Sequence, residues 1–372
     1  MLRVLHIATD DKFFDDVFNL WEKDTRFENS AVLFTRSKDY EFSYIKNTKK
    51  VQLLWNPEMI KLCLNSRGYD ILFFHSLPAT YYNYFMNIPD DKIVIWWAWG
   101  YELYGRSKNS LIKINLYKPK TNKFIICHNL IRIFKVWVYN FLFIRKIKLL
   151  QERVLSRVDY FQPVLEVEYE LMRNNMYFKA KEFYFNNSYS FFNSTTPKLP
   201  DGDILLGNSA TPTMNHLDCL KYIKKGLLGT QKIIVPLNYG NEQYKKWLIP
   251  KLINYNSKII SSFIPKDEYF NIVDSCSYAV FGNIRQQGIG NIQYALGKGI
   301  KVFLFRDSIA YKYYKSQGFV VYAIEDINQL SFNKPLSKRE IERNISASIN
   351  EYNRRNNIYN RCVEEFIGSF KQ

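Results

Sequence analysis

Two short stretches carry residue types suited to holding a phosphate. RQQGIGN, residues 285–291, sets an arginine, two glutamines and two glycines between a strand-like stretch, YAVFGNI, and a helix-like one, IQYALGKG. Arginine supplies a fixed planar cation, glycine lets a ligand approach the backbone, and the first amides of a helix favour negative charge. ILLGNSATPTMNHLDCLKYI repeats the arrangement with a strand, a Gly207-Asn208-Ser209 loop, a polar segment and a helix. Two such turns in one sheet fit a diphosphate. Neither spells the Walker loop GxxxxGK(S/T), and GIGN is not a GxGxxG fingerprint after a first strand. Taken singly, each turn is equally well an ordinary polar connection.

Groups for acid–base work are sparser. DDKFFDD at 10–16 puts four aspartates on the first strand-end loop, a place that faces a ligand crevice, although helix N-terminal acids account for several of them. Glu102, in WWAWGYELYG, follows a tryptophan-rich strand, and Trp96, Trp97 and Trp99 are either core or a sugar-stacking platform. Asp201-Gly202-Asp203 has the D-x-D spelling of metal-dependent sugar-nucleotide enzymes, but it precedes its strand and reads as a turn. The histidines His6, His75, His128 and His216 form no i, i+4 pair, so no metal site is expected, and His6 reads as a satisfied core residue. No GxSxG occurs, and hydrolase chemistry has no support.

The elements that must position these residues alternate. LRVLHIA (2–8), SAVLFT (30–35), YDILFFHS (69–76), KIVIWWAW (92–99) and DYFQPV (159–164) read as strands, with helical stretches such as DDVFNLWEKD and PEMIKLCLNSR between them. Strand, crossover and strand again imply a parallel sheet covered on both faces. Residues 186–203, rich in Asn, Ser, Thr and Pro, read as a linker. A second α/β alternation follows, with helices expected near 215–225, 243–253, 266–275 and 290–297. Ser337-x-x-Glu340 spells a capping box for a long terminal helix. At 372 residues the chain exceeds what one core usually organises. The division expected is 1–190, 203–336 and a C-terminal helix over 337–372 that packs back toward the first domain. The fold class is α/β, two Rossmann-like doubly wound domains with a ligand cleft between them, where strand carboxyl ends gather.

Hydrophobic content of 47% and aromatic content of 17% exclude a disordered chain. Five scattered cysteines without a CxxC read as reduced thiols, and the N-terminus reads as a strand with no signal peptide. The net charge is +17, and residues 105–160 supply +11 of it, from thirteen Lys/Arg against two acids. Within this region, FIICHNLIRIFKVWVYNFLFIRKIKLL (124–150) is too interrupted by charge to span a bilayer. Arg132, Lys135 and Lys146 share a helical stripe, while apolar residues including Phe141 cover much of the remainder and Trp137 and Arg145 lie alongside. That composition suits a helix lying in an anionic membrane interface. A core helix with basic ends is the competing reading. Nucleic-acid binding is disfavoured, because no nucleic-acid motif accompanies the aromatics.

GNS with Asn215-His216, VPLNYG (235–240), RQQGIG (285–290), WxWGxELY (97–104) and FFHS (73–76) together resemble the 4-acetamido-4,6-dideoxygalactose (Fuc4NAc) transferases, glycosyltransferase family 56. The resemblance is closest over 203–310 and keeps the same order before 190. It implies a GT-B fold with the nucleotide sugar in the C-terminal domain. It further implies a dTDP-sugar donor, an undecaprenyl-diphosphate-linked glycan acceptor, and a metal-independent hexosyltransferase with no cofactor. Such an enzyme would work peripherally on the cytoplasmic face of the bacterial inner membrane, in common antigen, O-antigen or related lipopolysaccharide synthesis. Carried over by position, Gly207, Asn208, Ser209, Asn215, His216, Tyr239 and Gly240 would line the donor loops. Arg285, Gln286, Gln287, Gly288 and Gly290 would hold the diphosphate, with Gln293 beside the ribose. Asp11 and then Glu102 would be the catalytic carboxylate, a base for the acceptor hydroxyl if the anomeric carbon inverts, and His75 and Trp99 would meet the acceptor. Two other readings are a noncatalytic nucleotide- or polyanion-binding protein and a sugar-nucleotide epimerase on the same architecture.

Overall fold

The computed structural model describes the chain except residues 11–13, 36, 43–44, 47–49, 106–109, 186–191, 193–195, 228–230 and 371–372, and the side chains of 16, 131–133, 136, 140 and 144. It divides into two units, one of residues 1–113, 139–186 and 355–372, the other of 114–138 and 187–354.

The first unit is built on β1 (Leu2–Ala8), β2 (Phe27–Phe34), β3 (Val51–Leu54), β4 (Ile71–His75), β5 (Ile93–Trp97), β8 (Tyr160–Gln162) and β9 (Lys181–Glu182). The strands are parallel and ordered β3-β2-β1-β4-β5-β8-β9. A short separate pair, β6 (Tyr104–Gly105) and β7 (Ile112–Lys113), follows β5. Helices α1 (Phe14–Trp21), α2 (Pro57–Leu64) and α4 (Glu166–Arg173) supply crossovers. α2 starts where it does because Asn56 caps the amide of Glu58 and Pro57, which has no N–H to satisfy, takes the first turn. β4 is buried at all five positions, the run expected of a strand covered on both faces.

The second unit repeats the plan. β10 (Asp203–Leu206), β11 (Ile233–Pro236), β12 (Ser257–Ile260), β13 (Cys276–Phe281), β14 (Lys301–Leu304) and β15 (Tyr322–Ala323) form a parallel sheet ordered β12-β11-β10-β13-β14-β15. Its crossovers are α5 (His216–Ile223), α6 (Glu242–Leu252), α7 (Lys266–Asp274), α8 (Ile289–Gly297) and α9 (Ile309–Ser316). Ile204, Leu206, Val235, Tyr244, Leu248, Tyr278 and Val280 anchor one apolar core of this unit. In both sheets the strand order reverses between the first and fourth strands, β1 and β4 in one and β10 and β13 in the other, which makes those crevices the ligand sites of such folds.

Of the two long helices, one exceeds what the sequence pattern marks and the other stays within it. α3 (Pro119–Arg157) extends beyond 124–150 at both ends, with non-helical backbone at Asn129. α10 (Lys338–Ser369) begins at the expected box, where the Ser337 amide and hydroxyl each donate to Glu340 Oε2 at 2.8 Å. β3 was not expected, because a four-residue edge strand is too short to show a period. All five cysteines are free.

Candidate functional site

In the second unit the two glycine-bearing turns leave adjacent strands and touch. β10 ends into Gly207, whose φ of +68° is the left-handed region, and a Cβ there would lie 2.9 Å from His216 Nε2. β13 leads through Asn283 and Arg285 to Gly288, at φ +66°, which caps α8. A side chain at Gly288 would begin 3.2 Å from Asn208 Oδ1, so glycine is what lets the two loops meet. Gln287 then bridges them. Its Oε1 accepts from Thr213 Oγ1 at 2.5 Å, and its Nε2 donates to Thr211 Oγ1 at 3.0 Å. Ser209 Oγ hydrogen-bonds the Thr211 hydroxyl.

A third turn joins this pair. Asn208 Nδ2 donates to the Tyr239 hydroxyl at 2.9 Å. Gly240, at φ +125°, lies against Ala210, where any Cβ would meet the Ala210 carbonyl carbon at 2.7 Å. Arg285 Nη1 donates to the Gln286 carbonyl at 2.7 Å, and Asn283 Nδ2 donates to the Arg285 carbonyl at 3.0 Å, so the loop is held by its own groups. A Cβ at Gly290 would meet nothing within 4 Å, and Gln293 is half-buried on α8.

Asn215 and His216 follow the same loop, and both are fully buried. Asn215, left-handed at φ +50°, sends Nδ2 to the carbonyls of Gly282 (2.8 Å) and Thr213 (3.1 Å), which ties the two turns together. His216 Nδ1 pairs with the Tyr244 hydroxyl at 3.1 Å, and burial pushes its pKa down to about 3, so the ring is neutral. The residues the sequence did not mark are Thr211, Thr213 and Gly282; the TPT spelling before Asn215 is the signal for the first two.

Four side-chain amide oxygens in these loops, of Asn208, Asn238, Asn283 and Gln286, are buried without a hydrogen-bond partner among the described residues. An unmet buried acceptor costs about 1–3 kcal/mol, a cost that a ligand bearing N–H or O–H groups removes.

In the first unit the corresponding crevice is bounded by the ends of β1 and β4. Ser76, a non-glycine residue at φ +68°, accepts from the Tyr101 hydroxyl at 2.9 Å and shares a hydrogen bond with Thr9 Oγ1 at 2.7 Å. Asp11 lies outside the described residues. His75 is buried, with Nε2 3.0 Å from His6 Nδ1, and His6 Nε2 is 3.0 Å from Asn29 Oδ1. With Asn29 Oδ1 accepting, His6 carries its proton on Nε2 and receives one from His75 Nε2, which leaves His75 Nδ1 bare and without a partner. Burial lowers both histidines, His6 to about 4, so the pair is neutral.

Glu102 Oε1 accepts the Trp99 amide at 2.9 Å, and burial raises its carboxyl above the ordinary value. Its Oε2 is buried without a hydrogen-bond partner among the described residues. Trp96 and Trp97 are core residues, whereas Trp99 is half-buried with its ring 5.2 Å from that of Trp97. Nearby, Glu168 is fully buried and pushed up to about 7 by that burial, against the opposing hydrogen bonds of Leu165, Tyr104 and Val164.

The folded protein therefore keeps a proton on Glu168 that the unfolded chain releases near 4.5. Stability from this residue is full below that value and falls as pH rises through 7, by roughly 2–3 kcal/mol at about pH 8. Glu168→Gln is expected to flatten that fall, gaining about 2 kcal/mol on the unchanged protein between about pH 5 and about pH 8 in urea unfolding. Parallel pH profiles would refute the assignment.

On α3, Phe134, Trp137, Phe141 and Leu142 are 62–72% exposed, and Lys135, Arg145 and Lys146 are exposed beside them. The side chain of Arg132 lies outside the described residues. Among the described residues no helix is long and apolar enough to cross a membrane, and no group of three or more His, Cys, Asp or Glu is placed to hold a metal ion.

Solved structures with this arrangement include an alpha-glucosyltransferase (AGT) in complex with UDP, 9% identical, covering 99% of this chain and 100% of that one at a TM-score of 0.57. Sucrose-phosphate synthase from Thermosynechococcus elongatus is 9% identical over 98% of this chain and 100% of that one, at 0.61. A glycosyltransferase from Rickettsia africae is 10% identical over 100% and 99%, at 0.58. Residues 79–343 match the family described as 4-alpha-L-fucosyltransferase, glycosyl transferase group 56. With two Rossmann-type sheets of GT-B kind and a family match over the larger part of its length, the chain belongs to glycosyltransferase family 56.

Proposed function

We propose that this glycosyltransferase moves 4-acetamido-4,6-dideoxygalactose, or a similar deoxyamino sugar, from a dTDP-sugar to an undecaprenyl-diphosphate-linked glycan of the bacterial surface. The observation that carries the reading is the Gln287 bridge, which holds the GNS and RQQGIG turns together at the reversal of strand order. The alpha-glucosyltransferase of the same fold was solved with UDP, in keeping with a nucleoside diphosphate here. The unmet amide oxygens of Asn208, Asn238 and Gln286 suit a sugar rich in O–H and N–H donors.

Departure of dTDP places growing negative charge on the leaving phosphate. Arg285 and the first amides of α8 stabilise that charge from fixed positions, so no metal is required of the reaction. If the anomeric carbon inverts, a carboxylate takes the proton of the acceptor hydroxyl. Asp11 is the first choice and Glu102 the second, the raised carboxyl of Glu102 being the stronger base. His75 and Trp99 are assigned to the acceptor side. The exposed aromatic and basic face of α3 rests on the anionic inner leaflet, each lysine or arginine contributing about 1 kcal/mol, so the enzyme works as a peripheral protein where its lipid-linked acceptor lies.

The test is a thermal-shift panel of dTDP-, UDP- and GDP-sugars with the full chain, followed by transfer to lipid-linked acceptor in vesicles with and without a metal chelator. The dTDP-sugar should raise the melting temperature most, and transfer should persist with chelator. A larger shift with a UDP- or GDP-sugar would reject the donor, and loss of transfer on chelation would reject the metal-free mechanism.

A further inference from the structure

The second unit carries a cavity of about 540 Å³ whose wall is basic and whose place in the fold is the opposite end of the sheet from the donor turns. Gln231 and Asn256, two of its lining residues, stand just before β11 and β12, at strand amino ends, whereas Gly207 and Arg285 follow strand carboxyl ends. Lys120, Lys224 and Lys251 line it, and no carboxylate does. None of the three makes an ion pair with a described acidic residue; Lys251 Nζ donates only to the Trp247 carbonyl, at 3.0 Å, and lies over the Trp247 ring.

Part of this charge has an internal explanation. Lys224 caps α5 and Lys251 sits in the last turn of α6, where helix dipoles favour cations. Lys120 has no such explanation, because it lies in the first turn of α3, where the dipole disfavours a positive charge. Asp218, the acid at that end, is committed to the amides of Lys120 and Thr121 and to the Thr121 hydroxyl. Three ammonium groups around one concavity focus a positive field that an anion from outside would relieve.

A second observation narrows the anion. Gln231 is 2% exposed; its Nε2 donates to the carbonyls of Gly202 and Phe332, both at 3.0 Å, and its Oε1 has no partner. An unmet acceptor on a residue that lines a basic cavity suits a hydroxyl on the same ligand that brings the charge. We propose that this cavity binds a hydroxyl-bearing phosphate ester, with the phosphate on the lysines and a hydroxyl on Gln231. Two sources share this chemistry, a free polyol phosphate and a glycerophosphate lipid headgroup. The site is independent of the donor turns, so it stands or falls apart from the proposed transfer reaction.

The full chain would be titrated calorimetrically with glycerol 3-phosphate and with inorganic phosphate, and floated with phosphatidylcholine vesicles with or without phosphatidylglycerol. The variant K224E with K251E reverses the cavity, K224Q with K251Q only neutralises it, and K38E with K179E makes the same charge change on exposed residues of the first unit. Cavity reversal is expected to weaken glycerol 3-phosphate binding at least about tenfold if the source is a free ester, or phosphatidylglycerol vesicle binding by as much if it is a lipid. The neutral pair should lose less, and the distant pair should change little. The melting temperature, measured alongside, should stay within about 2 °C in all variants and shows that each is folded. Equal losses in the cavity and distant pairs, or no binding of either probe by the unmodified chain, would overturn the site. Inorganic phosphate binding as tightly as glycerol 3-phosphate would overturn the role of Gln231.

Discussion

Gly282→Ala is expected to lower the stability of the second unit by about 3 kcal/mol, a fall in melting temperature of roughly 6–12 °C, and to abolish donor binding with it. The methyl group would start 2.2 Å from the Met214 carbonyl oxygen and 2.5 Å from Cys219 Sγ. Neither can withdraw easily. The Met214 carbonyl belongs to a backbone pinned by Asn215, and Cys219 is fully buried on α5. Relief therefore requires the end of β13 to move away from the 211–215 segment, which pulls Gln287 off Thr211 and Thr213. Gly290→Ala is the internal control, because nothing lies within 4 Å of its added methyl. Differential scanning calorimetry of the two variants decides the point; a Gly282→Ala protein melting within about 2 °C of the unchanged chain would show that the loop yields.

Arg285→Ala carries the second large effect. A guanidinium on a phosphate contributes about 1.5–3 kcal/mol, so affinity for dTDP should fall roughly 10- to 100-fold by calorimetry. Turnover should fall further than affinity, since the charge on the leaving diphosphate is greatest in the transition state. Arg285→Lys should recover only part of the loss, because a point charge replaces a planar fork. The fold should survive, as Arg285 is only half-buried and donates to a carbonyl of its own loop. Unchanged dTDP affinity in the alanine variant would remove Arg285 from the donor site.

The outline of both sheets was legible because each buried strand is an apolar run bounded by turn residues, and RQQGIG and GNS stood at visible strand-to-helix turns. What was not legible depends on pairings across long stretches of chain. His6 meets His75 only because β1 pairs with β4, and Gly282 is essential only because Met214 arrives beside it. Nor does the spelling of Asn215 and His216 show that both are buried, with the Asn215 amide donating to the Gly282 and Thr213 carbonyls and His216 Nδ1 meeting the Tyr244 hydroxyl. The length of α3 was hidden by Pro119, a residue that usually reads as a break but here occupies the one helical turn that needs no amide.

Gln287 has a consequence for how a nucleotide would arrive. Its two hydrogen bonds and the Asn208–Tyr239 contact join three separate turns of the chain before any ligand is present. A donor bound there would enter a socket whose walls are already braced. Little of its interaction energy would be diverted into ordering loops, and more would remain to discriminate one nucleotide sugar from another.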